Sequence, residues 1–402
     1  MDDSIFKAVE LAPRDPIIGL TEAFNTDERP NKVNLGVGVY CDENGKIPLL
    51  RAVREAEKAR VEAGVPRGYL PIEGLAAYDA AVQKLLFGAD SPLIATGRLV
   101  TAQALGGTGA LKIGADFLKR IDPQAKVLIS NPSWENHRAL FEGAGFPVST
   151  YPYYDAATHG VDFGGMCAAL RDAPAGTIVA LHACCHNPTG VDLSIEQWRE
   201  VAGICGERGL VPMLDIAYQG FGAGIDADAA AVRLFADLGL PFFVASSFSK
   251  SFSLYGERVG ALTIVTTSSD ESARVLSQLK RVIRTSYSNP PVHGGSIVAA
   301  VLNDPKLRAL WEEELAGMRD RIKSMRTALV EGLKSRGVAR DFSFVLRQNG
   351  MFSYTGLTPA QVERLRDDFG IYAVSTGRIC VAALNAGNID YVCDALAAVL
   401  AA

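Results

Sequence analysis

The sequence predicts an α/β protein in which helices cover both faces of a mostly parallel central sheet, with a second, smaller α+β unit. Two observations lead to this fold class. Short apolar runs rich in β-branched residues alternate with helix-like patterns through the middle of the chain, and such alternation is typical of parallel sheets with helical crossovers. The chain also has 402 residues, more than the roughly 250–300 that one hydrophobic core usually accommodates.

Five apolar runs are predicted to be buried strands of the central sheet. They span residues 126–130, 177–183, 211–215, 242–246 and 261–265. The helices between them are predicted at 135–141, 163–171, 194–207 and 229–238. The third of these helices opens with Ser194 three residues before Gln197, the spacing of a capping box. Ligands bind beyond the carboxyl ends of strands in such sheets, so we expect the site in the loops that follow these runs.

The C-terminal part of the chain has a different pattern. A long amphipathic helix is predicted at 306–336, followed by short strands near 342–346, 372–375 and 378–382, a helix at 359–369 and a final helix. The long helix has the length to join two domains. We predict a large domain of residues 48–317 and a small domain assembled from residues 1–47 and 318–402.

Composition and charge exclude several classes of protein. Hydrophobic residues make up 48% and charged residues 21% of the chain, which is typical of globular proteins rather than disordered ones. The net charge of −5 does not favour nucleic acid binding, and neither a secretion signal nor an apolar run of membrane-spanning length is evident. The seven cysteines lack the spacing of a disulfide framework or zinc site. We expect a cytoplasmic protein without a bound metal.

A glycine-rich stretch, Gly106-Gly107-Thr108-Gly109, opens a predicted helix. A helix N-terminus offers free N–H groups and a positive dipole end, so Gly107 and Thr108 could hold a phosphate. A tight turn into a helix explains the glycines as well. The G-x-G-x-x-G spacing of dinucleotide-binding folds is absent.

Two charged residues stand at the ends of predicted buried strands. Lys250 closes Ser246-Ser247-Phe248-Ser249-Lys250, and partial burial would favour its neutral, nucleophilic amine. The nearby hydroxyls and Arg258 would suit a phosphate. Asp215 ends an apolar run, where an ionised carboxylate is costly unless a cation lies beside it. A solvated lysine and an aspartate that caps a turn remain the alternatives.

The run Cys184-Cys185-His186-Asn187-Pro188 suggests a metal site at first sight. Successive side chains of an extended segment point to opposite faces, and no second ligand pair occurs elsewhere in the sequence, so we disfavour that interpretation. Asn187-Pro188 instead indicates a rigid turn that could contain a cis bond and would orient the Asn187 side chain. His137, taken alone, is interpreted as a structural histidine.

Taken together, these segments resemble one enzyme family over nearly the whole chain. The segments, in order, are VNLGVGVY at 33–40, NPSWENH at 131–137, CHNPTG at 185–190, DIAYQGF at 215–221, SK at 249–250 and STGR at 375–378. Their order and spacing resemble the fold-type I pyridoxal-phosphate enzymes, specifically the class I aspartate and aromatic aminotransferases. The resemblance implies pyridoxal 5'-phosphate as the cofactor, amino acids and 2-oxo acids as substrates, and a homodimer with shared active sites.

The resemblance also implies a role for each site residue. Lys250 would carry the cofactor as a Schiff base and move the substrate Cα proton, and Asp215 would pair with the pyridine nitrogen, oriented by His137. Tyr218 and Asn187 would bond the ring oxygen, and Trp134 would stack on the ring. The substrate α-carboxylate would be bound by Arg378, Asn187 and Gly38. The phosphate would be held by Gly107, Thr108, Ser247, Ser249, Arg258 and, from the neighbouring subunit, Tyr69.

Substrate choice is implied by residues that reach across the dimer. Arg284 matches the family arginine that binds the distal carboxylate of aspartate or glutamate, and aromatic members of the family keep it. Gly68 precedes Tyr69, where strict aspartate enzymes usually have Asn. We therefore expect ping-pong transamination of aromatic and dicarboxylic amino acids with 2-oxoglutarate, with a strict aspartate aminotransferase as the alternative.

Two other kinds of function are compatible with this resemblance: a different pyridoxal-phosphate reaction and a non-catalytic regulator. β-Elimination or decarboxylation would use the same Lys250 and Asp215, but the pair Arg284 and Arg378 favours a reaction in which both carboxylates are kept. A regulator built on this fold would normally add a DNA-binding domain, and the sequence contains no basic N-terminal helix-turn-helix pattern.

Overall fold

The computed structural model describes residues 4–12 and 17–401, apart from the Ile18 side chain. Its strands are β1 (Val33–Asn34), β2 (Leu99–Leu105), β3 (Val127–Asn131), β4 (Val148–Pro152), β5 (Tyr154–Asp155), β6 (Gly160–Val161), β7 (Ile178–His182), β8 (Val211–Ile216), β9 (Phe242–Ser247), β10 (Val259–Val265), β11 (Phe352–Tyr354), β12 (Ile371–Tyr372) and β13 (Arg378–Cys380). All five apolar runs predicted as central strands are therefore strands.

A seven-stranded sheet in the order β2-β10-β9-β8-β7-β3-β4 forms the centre of the molecule. The pairs from β9 through β4 are parallel, and β10 is antiparallel to both of its neighbours. The connection from β9 to β10 covers only residues 248–258. Because a parallel crossover needs a dozen or more residues, β10 must return in the opposite direction. The predicted mostly parallel sheet is confirmed.

Helices cover both faces of this sheet. They are α1 (Ile18–Thr26), α2 (Arg51–Glu62), α3 (Ala76–Phe87), α4 (Pro92–Ala95), α5 (Gly106–Ile121), α6 (Glu135–Gly143), α7 (Phe163–Asp172), α8 (Ile195–Arg208), α9 (Ile225–Asp228), α10 (Ala230–Asp237), α11 (Ser269–Ser286), α12 (Val292–Asn303), α13 (Pro305–Ser335), α14 (Pro359–Phe369) and α15 (Ile389–Leu400). Ser194 and Gln197 form the predicted capping box of α8.

The double coverage explains why the strands are apolar throughout. In β7, Ile178 and Ala180 lie in the core under α5, whereas Val179 and Leu181 lie in the core on the opposite face. Successive residues of a strand point to opposite faces, so a sheet buried on both sides needs no polar alternation. The same packing fixes the carboxyl ends of β7, β8 and β9 beside one another.

A small α+β unit lies beside the central sheet. The strand β1, from the N-terminal part, pairs in parallel with β12, and β11 pairs with β13. The pairing of β1 with β12 supports the predicted assembly of a small domain from both ends of the chain, whose boundaries remain a prediction. The predicted boundary between residues 317 and 318 falls inside α13.

One predicted strand is wrong. Residues 343–347 form a 3-10 helix, Ser343–Arg347, rather than the strand expected near 342–346. Its apolar residues Phe344 and Val345 are buried, so a short apolar run alone did not distinguish strand from helix turn. The strand predicted at 378–382 is also shorter, because a 3-10 turn begins at Val381. Among the described helices, none has the length and apolar composition needed to cross a bilayer.

Candidate active site

A cavity of about 210 Å³ opens at the carboxyl ends of β8 and β9. It brings together most of the residues that the sequence predicted for the site. Those that line it are Gly38, Gly107, Thr108, Trp134, Asn187, Asp215, Tyr218, Ser247, Ser249, Lys250, Arg258 and Arg378. Gly38 and Arg378, which are 340 positions apart in the sequence, therefore share one cavity.

Lys250 lies in the turn that follows β9, three residues after Ser247 ends the strand. Its Nζ atom is 4.9 Å from the centre of the Tyr218 ring. Burial lowers the pKa of Lys250 to about 8, since desolvation outweighs the attraction of Asp215 and the nearby Arg258 and Arg378 lower it further. An amine with this pKa has a substantial neutral fraction near neutral pH, so it can act as a nucleophile or base.

Asp215 projects from β8 and is 5% exposed. Its Oδ2 atom is 3.0 Å from Nε2 of His137, whose Nδ1 is in turn 3.0 Å from the Ser133 hydroxyl. Burial raises the pKa of Asp215, but the hydrogen bond with His137 and the nearby basic side chains, Lys250 among them, outweigh it, and the net pKa is below the ordinary value. The structure therefore maintains an ionised carboxylate at the base of the cavity, ready to pair with a cation.

The opposite side of the cavity is suited to an anion. The 16-residue helix α5 begins there with Gly106, and Thr108 lies in its first turn. Nη1 of Arg258 donates to Ser249 Oγ at 3.3 Å, and Ser247 Oγ is also 3.3 Å from Ser249 Oγ. A Cβ at Gly106 would lie 2.5 Å from Nη2 of Arg258, so only glycine lets the guanidinium approach the start of the helix.

Arg378 reaches the cavity from β13. Its Nη1 donates to Oδ1 of Asn187 at 3.0 Å and its Nη2 to the Gly36 carbonyl at 2.6 Å. Its Nε is buried and has no acceptor among the described residues. The Asn187–Pro188 bond is cis, as the sequence analysis allowed. A guanidinium with an unused donor in a cavity is suited to a carboxylate.

Three predicted site residues do not line the cavity of this chain. His137 lies behind Asp215 and contacts it directly. Tyr69 is 97% exposed, and the exposed Arg284 lies at the end of α11, where its Nη1 donates to the Ser288 hydroxyl. A single chain therefore leaves Tyr69 and Arg284 outside the site.

Seven residues that line the cavity were not among the predicted site residues: Ile17, Leu111, Glu135, His182, Ala217, Tyr255 and Phe352. Three of them make contacts within the site. His182 is the neighbour of Asp215 across the β7–β8 pair, both of its ring nitrogens lack a partner among the described residues, and burial holds its pKa well below the ordinary value. The Tyr255 hydroxyl accepts a hydrogen bond from the backbone N–H of Tyr40. The Phe352 ring centre lies 4.2 Å from the Arg378 guanidinium carbon. His182 lies within the strand predicted at 177–183, but only the register places it beside Asp215.

Within the described part of the chain, two clusters have donor atoms close enough for a metal ion: His137, His182 and Asp215, and Cys184, Cys185 and Asp228. In the first, His137 and Asp215 already bond each other. In the second, Asp228 accepts three backbone N–H groups. The carboxylate of each cluster is thus engaged within the fold.

Comparisons with known proteins identify the family of this chain. A family model described as aminotransferase class I and II matches residues 30–396. An aspartate aminotransferase from Pseudomonas aeruginosa is 70% identical over 99% of this chain and 100% of its own length. An aromatic-amino-acid aminotransferase from Escherichia coli K12 is 53% identical over 98% of this chain and 100% of its own.

A solved structure is also similar to this chain in sequence and in fold. The crystal structure of an aromatic-amino-acid aminotransferase from Burkholderia pseudomallei, covalently bound to pyridoxal phosphate, has a TM-score of 0.97 and 74% identity, and the match covers 99% of this chain and 100% of that one. The fold is thus that of the pyridoxal-phosphate transferases. Within that class, the chain belongs to the class I and II aminotransferase family.

Proposed function

We propose that this chain catalyses transamination between an aromatic or dicarboxylic L-amino acid and 2-oxoglutarate, with pyridoxal 5'-phosphate as its cofactor. One observation carries the proposal: a lysine with a lowered pKa, a buried ionised aspartate, and an arginine with an unused donor face one cavity. The lysine and aspartate suit the cofactor, and the arginine suits the α-carboxylate of the substrate. The family and the relatives described above support the same reaction class.

The residues of the cavity fit the cofactor. The start of α5 with Gly107 and Thr108, the hydroxyls of Ser247 and Ser249, and Arg258 would bind its phosphate. Asp215 would hold the pyridine nitrogen in its protonated form, and Tyr218, Asn187 and Trp134 would contact the ring. When bound, pyridoxal phosphate supplies an electron sink for the charge that develops at the substrate Cα.

Lys250 would hold the cofactor covalently until an amino acid replaces it. Its freed Nζ would then take the proton from the substrate Cα and deliver it to the cofactor, which requires an amine that is neutral near pH 7. With a pKa of about 8, roughly a tenth of the Lys250 amine is neutral at pH 7, far more than for an ordinary lysine. Arg378 and Asn187 would bind the α-carboxylate and thereby keep the Cα within reach of Lys250.

We also propose that the chain acts as a homodimer in which Tyr69 and Arg284 complete the partner's site. Neither side chain lines the cavity of its own chain, and Tyr69 is almost fully exposed. An exposed tyrosine and a surface arginine would then contact the cofactor phosphate and the distal substrate carboxylate of the other subunit.

Mixing two impaired variants tests the shared site. Homodimers of Lys250→Ala and of Arg284→Ala are each expected to have low transaminase activity with glutamate. After refolding together, random C2 association makes about half of the dimers mixed. Each mixed dimer has one complete site, so activity with glutamate should recover to about a quarter of wild type.

The control mixes Lys250→Ala with Asp215→Asn. Both of these residues line the cavity of their own chain, so neither can repair the partner's site. A mixed dimer of these two variants has no complete site. No recovery in the first mixture would show that Arg284 acts within its own chain, and recovery in the control as well would show that the assay does not report on shared sites.

We propose broad specificity because Gly68 precedes Tyr69 in place of a larger residue. A Cβ at Gly68 would meet no atom within 4 Å in the single chain, so the glycine is not required by local packing. The proposed function is tested by a panel of aspartate, glutamate, tyrosine, phenylalanine and leucine as donors, with Gly68→Asn as the variant. Wild type should accept aromatic and dicarboxylic donors, and Gly68→Asn should lower kcat/KM for the aromatic ones about tenfold.

A strict aspartate aminotransferase is the second candidate, supported by the name of the relative from Pseudomonas aeruginosa. Turnover of aspartate and glutamate alone would favour it. We further propose a cytoplasmic location, since all seven cysteines are free thiols, as expected in a reducing compartment.

A further inference from the structure

A buried arginine on α13 lies outside the cavity but close to it. Arg326 is 2% exposed. Its Nη2 donates to the carbonyls of Phe352 at 2.6 Å and Gly350 at 2.8 Å. Its Nη1 donates to the Val345 carbonyl and the Ser353 hydroxyl, both at 3.2 Å. One guanidinium therefore holds four oxygens, three of them in the segment of residues 348–353, which we call the 348–353 segment.

Burying Arg326 in this way costs free energy, and a positioning role explains why the arginine is there. No ion pair to a carboxylate is present for Arg326 in the described part of the chain, and burial lowers its pKa to about 10, so it stays charged at neutral pH. Burying a charge without a counter-ion is expensive, and an apolar side chain of similar size usually fills such a place at lower free energy. The planar guanidinium provides several N–H donors in a fixed geometry, and these hold the backbone that they bind in one position.

The 348–353 segment supports the residues that face the substrate carboxylate. The ring of Phe352 lies against the Arg378 guanidinium, at 4.2 Å from its carbon. The same ring limits the space at Gly38, where a Cβ would lie 2.7 Å from Phe352 Cζ. A shift of Phe352 would therefore move both Arg378 and the backbone near Gly38.

The segment also packs against the loop that carries Asn187. The Asn349 backbone N–H donates to the Gly190 carbonyl at 2.6 Å, and Asn349 Nδ2 donates to Asp192 at 3.1 Å. Asp192 in turn accepts the backbone N–H groups of Cys185 and His186, each at 2.9 Å. The position of Asn187, the residue after His186, thus depends on the same segment.

We propose that Arg326 is a positioning residue that sets the affinity for the substrate α-carboxylate by holding the 348–353 segment against Arg378, Asn187 and Gly38. This inference rests on the proposed function, since it names how the carboxylate end of that same site is kept in place. Arg326 does not itself line the cavity; it acts through Phe352, whose carbonyl it binds, and through the backbone around that residue.

The test measures carboxylate binding apart from chemistry in the purified holoenzyme. Arg326→Lys keeps the charge but cannot reach four acceptors, and Arg326→Met removes it. Both should raise the Kd of succinate, a dicarboxylate that cannot react, and the KM of glutamate and 2-oxoglutarate by about tenfold or more. The kcat and the cofactor absorbance should change little, and Arg326→Lys should be the milder variant.

Two controls separate positioning from loss of stability. Leu329→Ala removes a buried side chain one turn further along α13 and should lower Tm without changing the Kd of succinate. Arg336→Lys makes the same chemical change near the end of α13, where the guanidinium pairs with Asp394, and should leave Kd unchanged. If Arg326→Met does not fold, Arg326→Lys and Ser353→Ala still provide the measurement.

A double-mutant cycle with Phe352→Leu tests the route of action. Coupled residues should give a combined effect on Kd smaller than the product of the single effects. Unchanged Kd in Arg326→Lys and Ser353→Ala, or independent effects of Arg326→Lys and Phe352→Leu, would overturn the inference. A wild-type protein that fails to transaminate any donor would contradict the proposed function instead.

Discussion

Lys250→Ala is expected to reduce steady-state transamination by at least ~10⁴-fold, because proton transfer by a positioned base alone contributes up to about this factor. The variant also loses the amine that would hold the cofactor covalently. No other lysine lines the cavity in the described part of the chain, so none can replace it. Steady-state assays with glutamate and a 2-oxo acid give the measurement.

Cofactor binding separates this effect from misfolding. Lys250→Ala should still bind pyridoxal phosphate, since Arg258, Ser247, Ser249 and the start of α5 are unchanged. Borohydride reduction followed by mass spectrometry should show a covalent adduct at Lys250 in wild type and none in the variant. Lys323→Ala, an exposed lysine on α13, is the control and should keep full activity. Appreciable turnover by Lys250→Ala would refute the assignment of the reaction.

Asp215→Asn is expected to lower kcat about 10³-fold. Removing one partner of a buried charge pair costs about 3–5 kcal/mol, and each ~1.4 kcal/mol corresponds to a factor of ten. The amide has almost the same shape as the carboxylate but cannot stabilise a positive charge on the pyridine nitrogen. The measurement is kcat with glutamate at saturating cofactor, together with the absorbance of the bound cofactor.

The matched control is Asp226→Asn. Asp226 is also an aspartate in an ion pair, with Arg233, but its side chain is 82% exposed, and exposed pairs contribute little. It should leave kcat unchanged. If Asp215→Asn kept kcat within tenfold of wild type while remaining folded by thermal unfolding, Asp215 would not be the partner of the ring nitrogen.

The strands and helices of the central sheet were predictable because their patterns are local. Runs of apolar residues of strand length indicated β3, β7, β8, β9 and β10, and the capping residues Ser194 and Gln197 indicated the start of α8. The failure at 343–347 has the same origin, since a buried apolar run of five residues is compatible with a strand or a helical turn. The reversed direction of β10 depends on the length of the connection before it.

The candidate site was predictable wherever a residue stands in a recognisable motif. Lys250, Asp215, Asn187 and Arg378 were found in this way, and the structure places them in one cavity. His182 and Phe352 were missed because a histidine at the end of a strand and a phenylalanine in a short strand have no distinctive pattern. Their importance arises from the β7–β8 register and from the packing of β11 and β13.

The sequence by itself determined the fold class, the order of the central strands along the chain and the residues proposed to carry the chemistry, because periodicity and motif spacing are properties of the chain. Only the tertiary structure decided which of them act together. Burial and neighbouring charges set the pKa of Lys250 and of Asp215, and the carbonyls that surround Arg326 converge only after folding. Distance and desolvation depend on contacts between remote segments, and those contacts turn separate motifs into one site.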